Sequence, residues 1–202
     1  MSTTNNFWRH NPELRKLTRV QEQLFTPEEC DMIYTHFPKR PFDTGLTARM
    51  ENGTYEIIPS FSNRLETQLD LNDHISHPLF GDPGKIAKDY FKEKFSKWID
   101  GDFDQWAKVI RYGEGDFLVP HIDSGPGDIL SKRDWTLIIQ LSDSNDYTGG
   151  DAVIGDWIMP RDKGFACLFN GGLVPHEITE VTGGERRSFI TWFSNKDLTF
   201  LK

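Results

Sequence analysis

The sequence predicts a mainly β fold with helices (α+β), its core an antiparallel sandwich or barrel, on three observations. From Trp106 onward, short β-prone runs recur between turns: WAKVIRY, FLVPHID, WTLIIQL, DAVIGDWIMP, FACLF, HEITEV and RRSFITWF. In the last of these, Arg186, Ser188, Ile190 and Trp192 alternate with Arg187, Phe189, Thr191 and Phe193, and both sets include large apolar groups. A strand with that pattern is expected to be covered on both faces. Finally, 202 residues at 37% hydrophobic and 13% aromatic supply a core for one compact domain. Within it, residues 106–195 are expected to form the β core, and residues 1–105 a region of helical support and substrate loops.

Upstream of the core, Thr26-Pro27-Glu28-Glu29 predicts a helix start. Thr26 caps, Pro27 opens the first turn and Glu29 closes a capping box, with the helix running to about Phe37. Residues 39–61, with Pro41, Gly45, Gly53 and Pro59 around Thr54–Ile58, predict loops and short strands. A second helix is expected over about Asn63–Ile75. A third follows Asp82-Pro83, where Ile86, Tyr90, Phe91, Phe95 and Trp98 form one apolar stripe, and Gly101 closes it.

Composition narrows the partners. With 23 Lys+Arg against 31 Asp+Glu, the net charge of −8 disfavours a surface that tracks phosphates, so nucleic acid is not expected. No run approaches the ~18 apolar residues of a membrane span, and the first residues lack the apolar stretch of a secretory signal. A cytoplasmic protein is expected. Cys30 and Cys167 lack CxxC spacing and read as buried thiols rather than a disulfide or zinc site. Nothing in the composition bears on oligomeric state.

Chemistry concentrates in the second half. In Val119-Pro120-His121-Ile122-Asp123, a β-type backbone sends the imidazole and the carboxylate to one face. His176 sits at a strand start that an antiparallel sheet can bring alongside. Two imidazoles and one carboxylate make the facial triad suited to Fe(II), which leaves positions open for a chelating cosubstrate and O2. Arg186 lies ten residues beyond His176, across the Gly183-Gly184 turn. A guanidinium among apolar strands needs an anion, and its planar fork matches a carboxylate. If the metal chelates one end of a dicarboxylic oxoacid, Arg186 is placed to hold the other.

The ordered series Arg111-Tyr112-Gly113 through His121-Ile122-Asp123, Gly149-Gly150-Asp151, His176-Glu177-Ile178 and Gly184-Glu185-Arg186 through Trp192 resembles the prolyl-4-hydroxylase-like 2-oxoglutarate/Fe(II) oxygenases. The resemblance covers about residues 106–195, and Leu24–Cys30 is similar to the helix start preceding this core. It implies a double-stranded β-helix (jelly roll) with helices packed on one sheet. It also implies iron on His121, Asp123 and His176, and the distal carboxylate of 2-oxoglutarate on Arg186. Tyr112 matches a tyrosine that hydrogen-bonds the cosubstrate, and Ser188 and Gln140 are further pocket candidates. Arg187, adjacent to Arg186, belongs on the opposite strand face. Gly149-Gly150-Asp151 reads as a strand-entry turn.

The implied cofactors are Fe(II), 2-oxoglutarate and O2, with ascorbate a further candidate, and the implied reaction is hydroxylation of an unactivated C–H bond. Related halogenases replace the position of Asp123 with a small residue, so its presence favours hydroxylation. Prolyl or other residues of a peptide or protein, a free amino acid and a small metabolite all fit this core. The acidic balance leans towards a neutral or cationic substrate. Arg49, Tyr55 and the loop at Ser124–Arg133 are expected substrate walls. Trp135, Trp157 and Trp192 read as packing residues, one of them a candidate for the substrate mouth. His10, His36, His74 and His77 read as surface or structural. The alternative reading is a non-catalytic, cupin-like metal-binding or sensor module, against which Arg186 discriminates.

Overall fold

The computed structural model describes residues 18–36, 43–44, 48–51, 54–57, 62–75, 77, 85–96, 99–101, 106–126, 130–194 and 198–200. Two antiparallel sheets form the core. The major sheet runs Thr18–Gln23, Phe165–Phe169, Trp135–Gln140, Arg186–Phe193, Trp106–Tyr112, Leu65–Asp70 and Asp43–Thr44. The minor sheet runs Trp157–Ile158, Ala152–Ile154, His176–Ile178, Phe117–His121 and Ser62–Asn63. The non-sequential strand order is that of the double-stranded β-helix.

The Arg186–Phe193 strand lies inside the major sheet, between Trp135–Gln140 and Trp106–Tyr112. Its period-two pattern divides it between two environments. Phe189 and Phe193 join Val109, Leu137 and Ile139 in a core closed by Cys30, Met32 and Ile33 and by Tyr90, Phe91 and Phe95. These two groups come from helices Pro27–His36 and Ala87–Phe95. Phe91 stacks on Phe189 with ring centroids 4.6 Å apart. A second core of Ile110, Ile138, Cys167, Phe169, Ile154 and Ile178 fills the space between the sheets. Both cysteines are buried and unpaired, as the spacing implied.

The capping box forms as expected: the Glu29 amide donates to Thr26 Oγ1 at 3.2 Å, and the Thr26 amide to Glu29 Oε2 at 2.9 Å. Other upstream elements differ. Residues 62–75 form strands Ser62–Asn63, Leu65–Asp70 and His74–Ile75, not a helix. Leu, Glu and Gln favour helix, but pairing from Leu65↔Arg111 to Asp70↔Trp106 alternately buries Thr67 and Leu69 and overrides that preference. The later helix spans Ala87–Phe95 and ends at Ser96, so Ile86 precedes it. Gly101 belongs to strand Ile99–Gly101 and does not close the helix. Trp98 and Asp82-Pro83 lie outside the described residues. Over 39–61, the hairpin Ala48–Glu51 with Thr54–Ile57 matches the expectation of loops and short strands.

Candidate functional site

Between the sheets lies a cavity of about 400 Å3. His121, Asp123, His176, Arg186, Tyr112 and Ser188 all line it. Gln140 is not among the lining residues. It is buried, and its amide donates to Tyr147 Oη at 3.0 Å.

His121 ends its strand directly opposite His176, after an irregularity in register between Leu118 and His121. Pro120 accounts for the local break, because it has no amide to give the ladder. Asp123 follows in a bend, its amide donating to the Gly171 carbonyl at 2.8 Å. The three side chains offer ligand atoms that all lie within 4.8 Å of one another. His121 Nε2 is 3.5 Å from Asp123 Oδ1, and His176 Nε2 is 3.3 Å from Asp123 Oδ2.

The histidine tautomers follow from their backbone partners. His121 Nδ1 lies 2.9 Å from the Val119 carbonyl, and His176 Nδ1 lies 3.0 Å from that of Val174. A carbonyl only accepts, so each Nδ1 carries the proton and each Nε2 turns a lone pair towards Asp123. His176 Nε2 is buried with no hydrogen-bond partner. Three electron-pair donors thus converge with no proton between them, an arrangement that costs free energy until a cation sits there. Bonds of ~2.0–2.2 Å to such donors hold neighbouring ligands about 3 Å apart, close to the separations seen. The donor set fits Fe(II).

Thr136 Oγ1 donates to Asp123 Oδ2. Burial raises the Asp123 carboxyl, and the hydrogen bond from Thr136 opposes that rise. Gly171 makes this approach possible: a Cβ there would lie 1.9 Å from Thr136 Oγ1 and 2.9 Å from Asp123 Oδ2.

At the other end stands Arg186, 1% exposed, with Nη1 donating to Ser188 Oγ at 3.3 Å. Its Nε and Nη2 are buried without a hydrogen-bond partner. The turn ahead of it requires glycine: Gly184 has φ +76, and a Cβ would fall 2.1 Å from the Asp146 carbonyl. Arg187 points away from the cavity. Its Nε donates to Glu185 Oε1 at 2.6 Å, and its guanidinium lies 4.5 Å from the Tyr34 ring centroid.

Tyr112 is 1% exposed and pairs with Arg186 across the strands. Burial raises its phenol, while Arg64 and Arg186 oppose that rise. Trp192 lines the cavity and carries the Arg133 guanidinium 3.8 Å over its ring. Trp135 sits in the helix-side core, and Trp157 packs against the core between the sheets. In the expected loop wall, Ser124, Leu130 and Arg133 line the cavity, and residues 127–129 lie outside the described ones. The side chains of Arg49, Tyr55 and His36, and all of His10, also lie outside. His74 is exposed and His77 half-buried. Asp151 accepts from Arg161 Nε and Nη2 at 2.9 and 2.8 Å, in keeping with a turn.

Sequence reasoning missed Arg64, Lys108 and Thr136. The first two also line the cavity. Their placement depends on strand pairing that no local motif announces.

A sequence model of the 2OG-Fe(II) oxygenase superfamily matches residues 107–194. A PKHD-type hydroxylase of Alteromonas mediterranea is 24% identical over 192 residues, covering 87% of this chain and 77% of that protein. A PKHD-type hydroxylase of a Caulobacter species is 30% identical over 95 residues, or 42% of this chain and 41% of its own. The crystal structure of a Pseudomonas putida prolyl-4-hydroxylase superposes with TM-score 0.54 at 16% identity, covering 90% of this chain and 95% of that one. Among the described residues, no helix is long and apolar enough to cross a membrane. The superfamily model thus falls on the β core that carries the site, and the chain is similar to PKHD-type hydroxylases and shares the fold of a prolyl-4-hydroxylase.

Proposed function

We propose that this protein is a 2-oxoglutarate/Fe(II) dioxygenase that hydroxylates an unactivated C–H bond of a prolyl or other amino-acid residue in a peptide or protein, or of a free amino acid. The observation that carries the reading is Arg186: a guanidinium 1% exposed, with two N–H-bearing nitrogens unpaired, in the cavity that His121, Asp123 and His176 line. A buried cation without a partner is costly, and a dicarboxylic oxoacid chelated at the triad would bring its distal carboxylate to it. A plain metal-binding module has no use for that guanidinium.

In this reading His121, Asp123 and His176 hold Fe(II), and Arg186 orients 2-oxoglutarate, with Tyr112 and Ser188 alongside. Bound there, Fe(II) supplies O2 activation coupled to oxidative decarboxylation, so that substrate C–H, O2 and 2-oxoglutarate become C–OH, succinate and CO2. Thr136 and Gly171 keep Asp123 ionised and in place. Ile110, Leu118, Ile138, Ile154, Ile178 and Ile190 line the cavity with apolar surface that limits water. Ascorbate would serve as a reductant that keeps iron ferrous. Ile122 and Leu130, 48% and 38% exposed, give the cavity wall apolar groups that suit a peptide side chain. The hydroxylase names of the relatives support this class of reaction.

The test is a screen of peptides and amino acids for succinate release above the uncoupled background, with product mass. A hit with a gain of one oxygen is expected. Metal-loaded protein that releases no succinate with any candidate, and none uncoupled, would overturn the reading.

A further inference from the structure

Arg64 stands one residue before strand Leu65–Asp70. The strand pairs Leu65 with Arg111, so continuing the register by one residue sets Arg64 opposite Tyr112. On its other side Tyr112 pairs with Arg186. Arg64, Tyr112 and Arg186 thus form one row across three neighbouring strands, and all three line the cavity. Two strand spacings, about 10 Å, separate the backbones of the arginines, a gap that two long side chains can close over a phenol.

Arg64 resembles Arg186 in being undersupplied with acceptors. Its Nε and Nη1 are buried and without hydrogen-bond partners, and its side chain is 12% exposed. Among the described residues, Nη2 alone has an acceptor, Glu66 Oε2 at 3.4 Å. Glu66 is shared, because Lys108 Nζ also bonds its carboxylate. One carboxylate facing two cations leaves a positive charge over, in the same row as Arg186, which has no carboxylate partner among the described residues. Four nitrogens on two guanidiniums therefore lack acceptors around one tyrosine, in a protein whose net charge is −8.

We propose that Arg64 is a second guanidinium for the distal carboxylate of 2-oxoglutarate, which it grips together with Arg186 from the opposite side of Tyr112. The inference rests on the assignment of Arg186 to that carboxylate. A carboxylate has lone pairs enough for two forks, and a buried, charge-assisted hydrogen bond from each contributes to affinity. The phenol between them keeps the two cations apart and gives the site a rigid floor. The consequence is selectivity for oxoacids that bear a second carboxylate at the right distance.

The experiment is calorimetric titration of the full chain, loaded with redox-inert Mn(II), with 2-oxoglutarate and with 2-oxobutanoate, which lacks the distal carboxylate. Arg64→Gln should weaken 2-oxoglutarate about 10- to 100-fold and leave 2-oxobutanoate affinity unchanged, which also reports an intact site in that variant. Arg64→Lys, with charge but no fork, should fall between. Wild-type 2-oxoglutarate affinity in Arg64→Gln, beside a weakened Arg186→Gln, would overturn the role of Arg64 alone. So would an equal loss towards both oxoacids, which would mark a structural role. Parent protein that bound both oxoacids equally, with Arg186→Gln indistinguishable from it, would instead bring down the underlying assignment of Arg186.

Discussion

The wall built around Phe117–His121 and His176–Ile178 presents electron pairs to the cavity, from two imidazole Nε2 atoms and the Asp123 carboxylate. The facing sheet presents donors instead, from Arg186 and Tyr112, with two buried nitrogens of Arg186 unmatched. Each wall is poorly satisfied alone: one needs a cation, the other an anion. A cavity so divided favours a ligand that meets both needs, and a metal chelated by a dicarboxylic oxoacid does. On the proposed reading, the stability lost by leaving these groups unpaired would be recovered on binding such a ligand.

Removing an electron-pair donor should have the largest effect. His176→Ala should take turnover to background with the metal stoichiometry lowered, while circular dichroism stays unchanged, because the two hydrophobic cores do not include that imidazole. His121→Ala should behave alike. Full turnover with unchanged iron content in either would break the metal side of the comparison.

Next comes Phe189→Ala, on the helix face of the strand that carries Arg186. Emptying this fully buried position, with its stacking on Phe91, should cost about 3–5 kcal/mol in denaturant unfolding. Cosubstrate affinity per folded molecule should be unchanged. A selective loss of 2-oxoglutarate binding would show that the two faces are not independent.

Arg186→Gln should weaken 2-oxoglutarate by about one to two orders of magnitude, from roughly 1.5–3 kcal/mol per charge-assisted hydrogen bond, with metal affinity little changed. Arg187→Gln is the control, since its guanidinium pairs with Glu185 and lies against Tyr34. The reverse outcome would contradict the strand register.

Thr136→Val tests the support of Asp123 and should reduce metal affinity about 10- to 100-fold by equilibrium dialysis. Unchanged affinity would show that Gly171 packing alone holds the carboxylate.

The smallest effect belongs to Glu185, outside the cavity. Burial would raise its carboxyl, but Arg111 and Arg187 hold it below the ordinary glutamate value. A depressed folded value stabilises the protein above the unfolded value, and that gain disappears as pH falls through the folded one. Glu185→Gln should therefore cost under about 1 kcal/mol at neutral pH, discounted for exposure, and nothing at low pH. A penalty that grew on acidification would have the wrong sign.

What was legible in the sequence was whatever local spacing determines. The alternation in Arg186–Phe193 separates Arg186 from Arg187 without a structure, and the Thr26–Glu29 box marks its helix. The two-residue spacing of His121 and Asp123 announced that they belong together, although the structure brings Asp123 in from a bend just past the strand. Residues 63–75 misled, since Leu, Glu and Gln suit a helix and the deciding partner, Trp106–Tyr112, lies far along the chain. Arg64 and Thr136 were invisible for the same reason: their neighbours at the site come from cross-strand register, not from adjacent residues. Gln140 shows the converse, since its even position puts it on the cavity side of the sheet, but Tyr147 engages its amide first.

The most direct measurement is visible spectroscopy of the anaerobic Fe(II)-loaded protein during titration with 2-oxoglutarate. A saturable, weak charge-transfer band is predicted in the parent and in Arg187→Gln, with about 10- to 100-fold more cosubstrate needed in Arg186→Gln. Iron-loaded parent protein that develops no band at any concentration would contradict a cavity divided between metal and carboxylate.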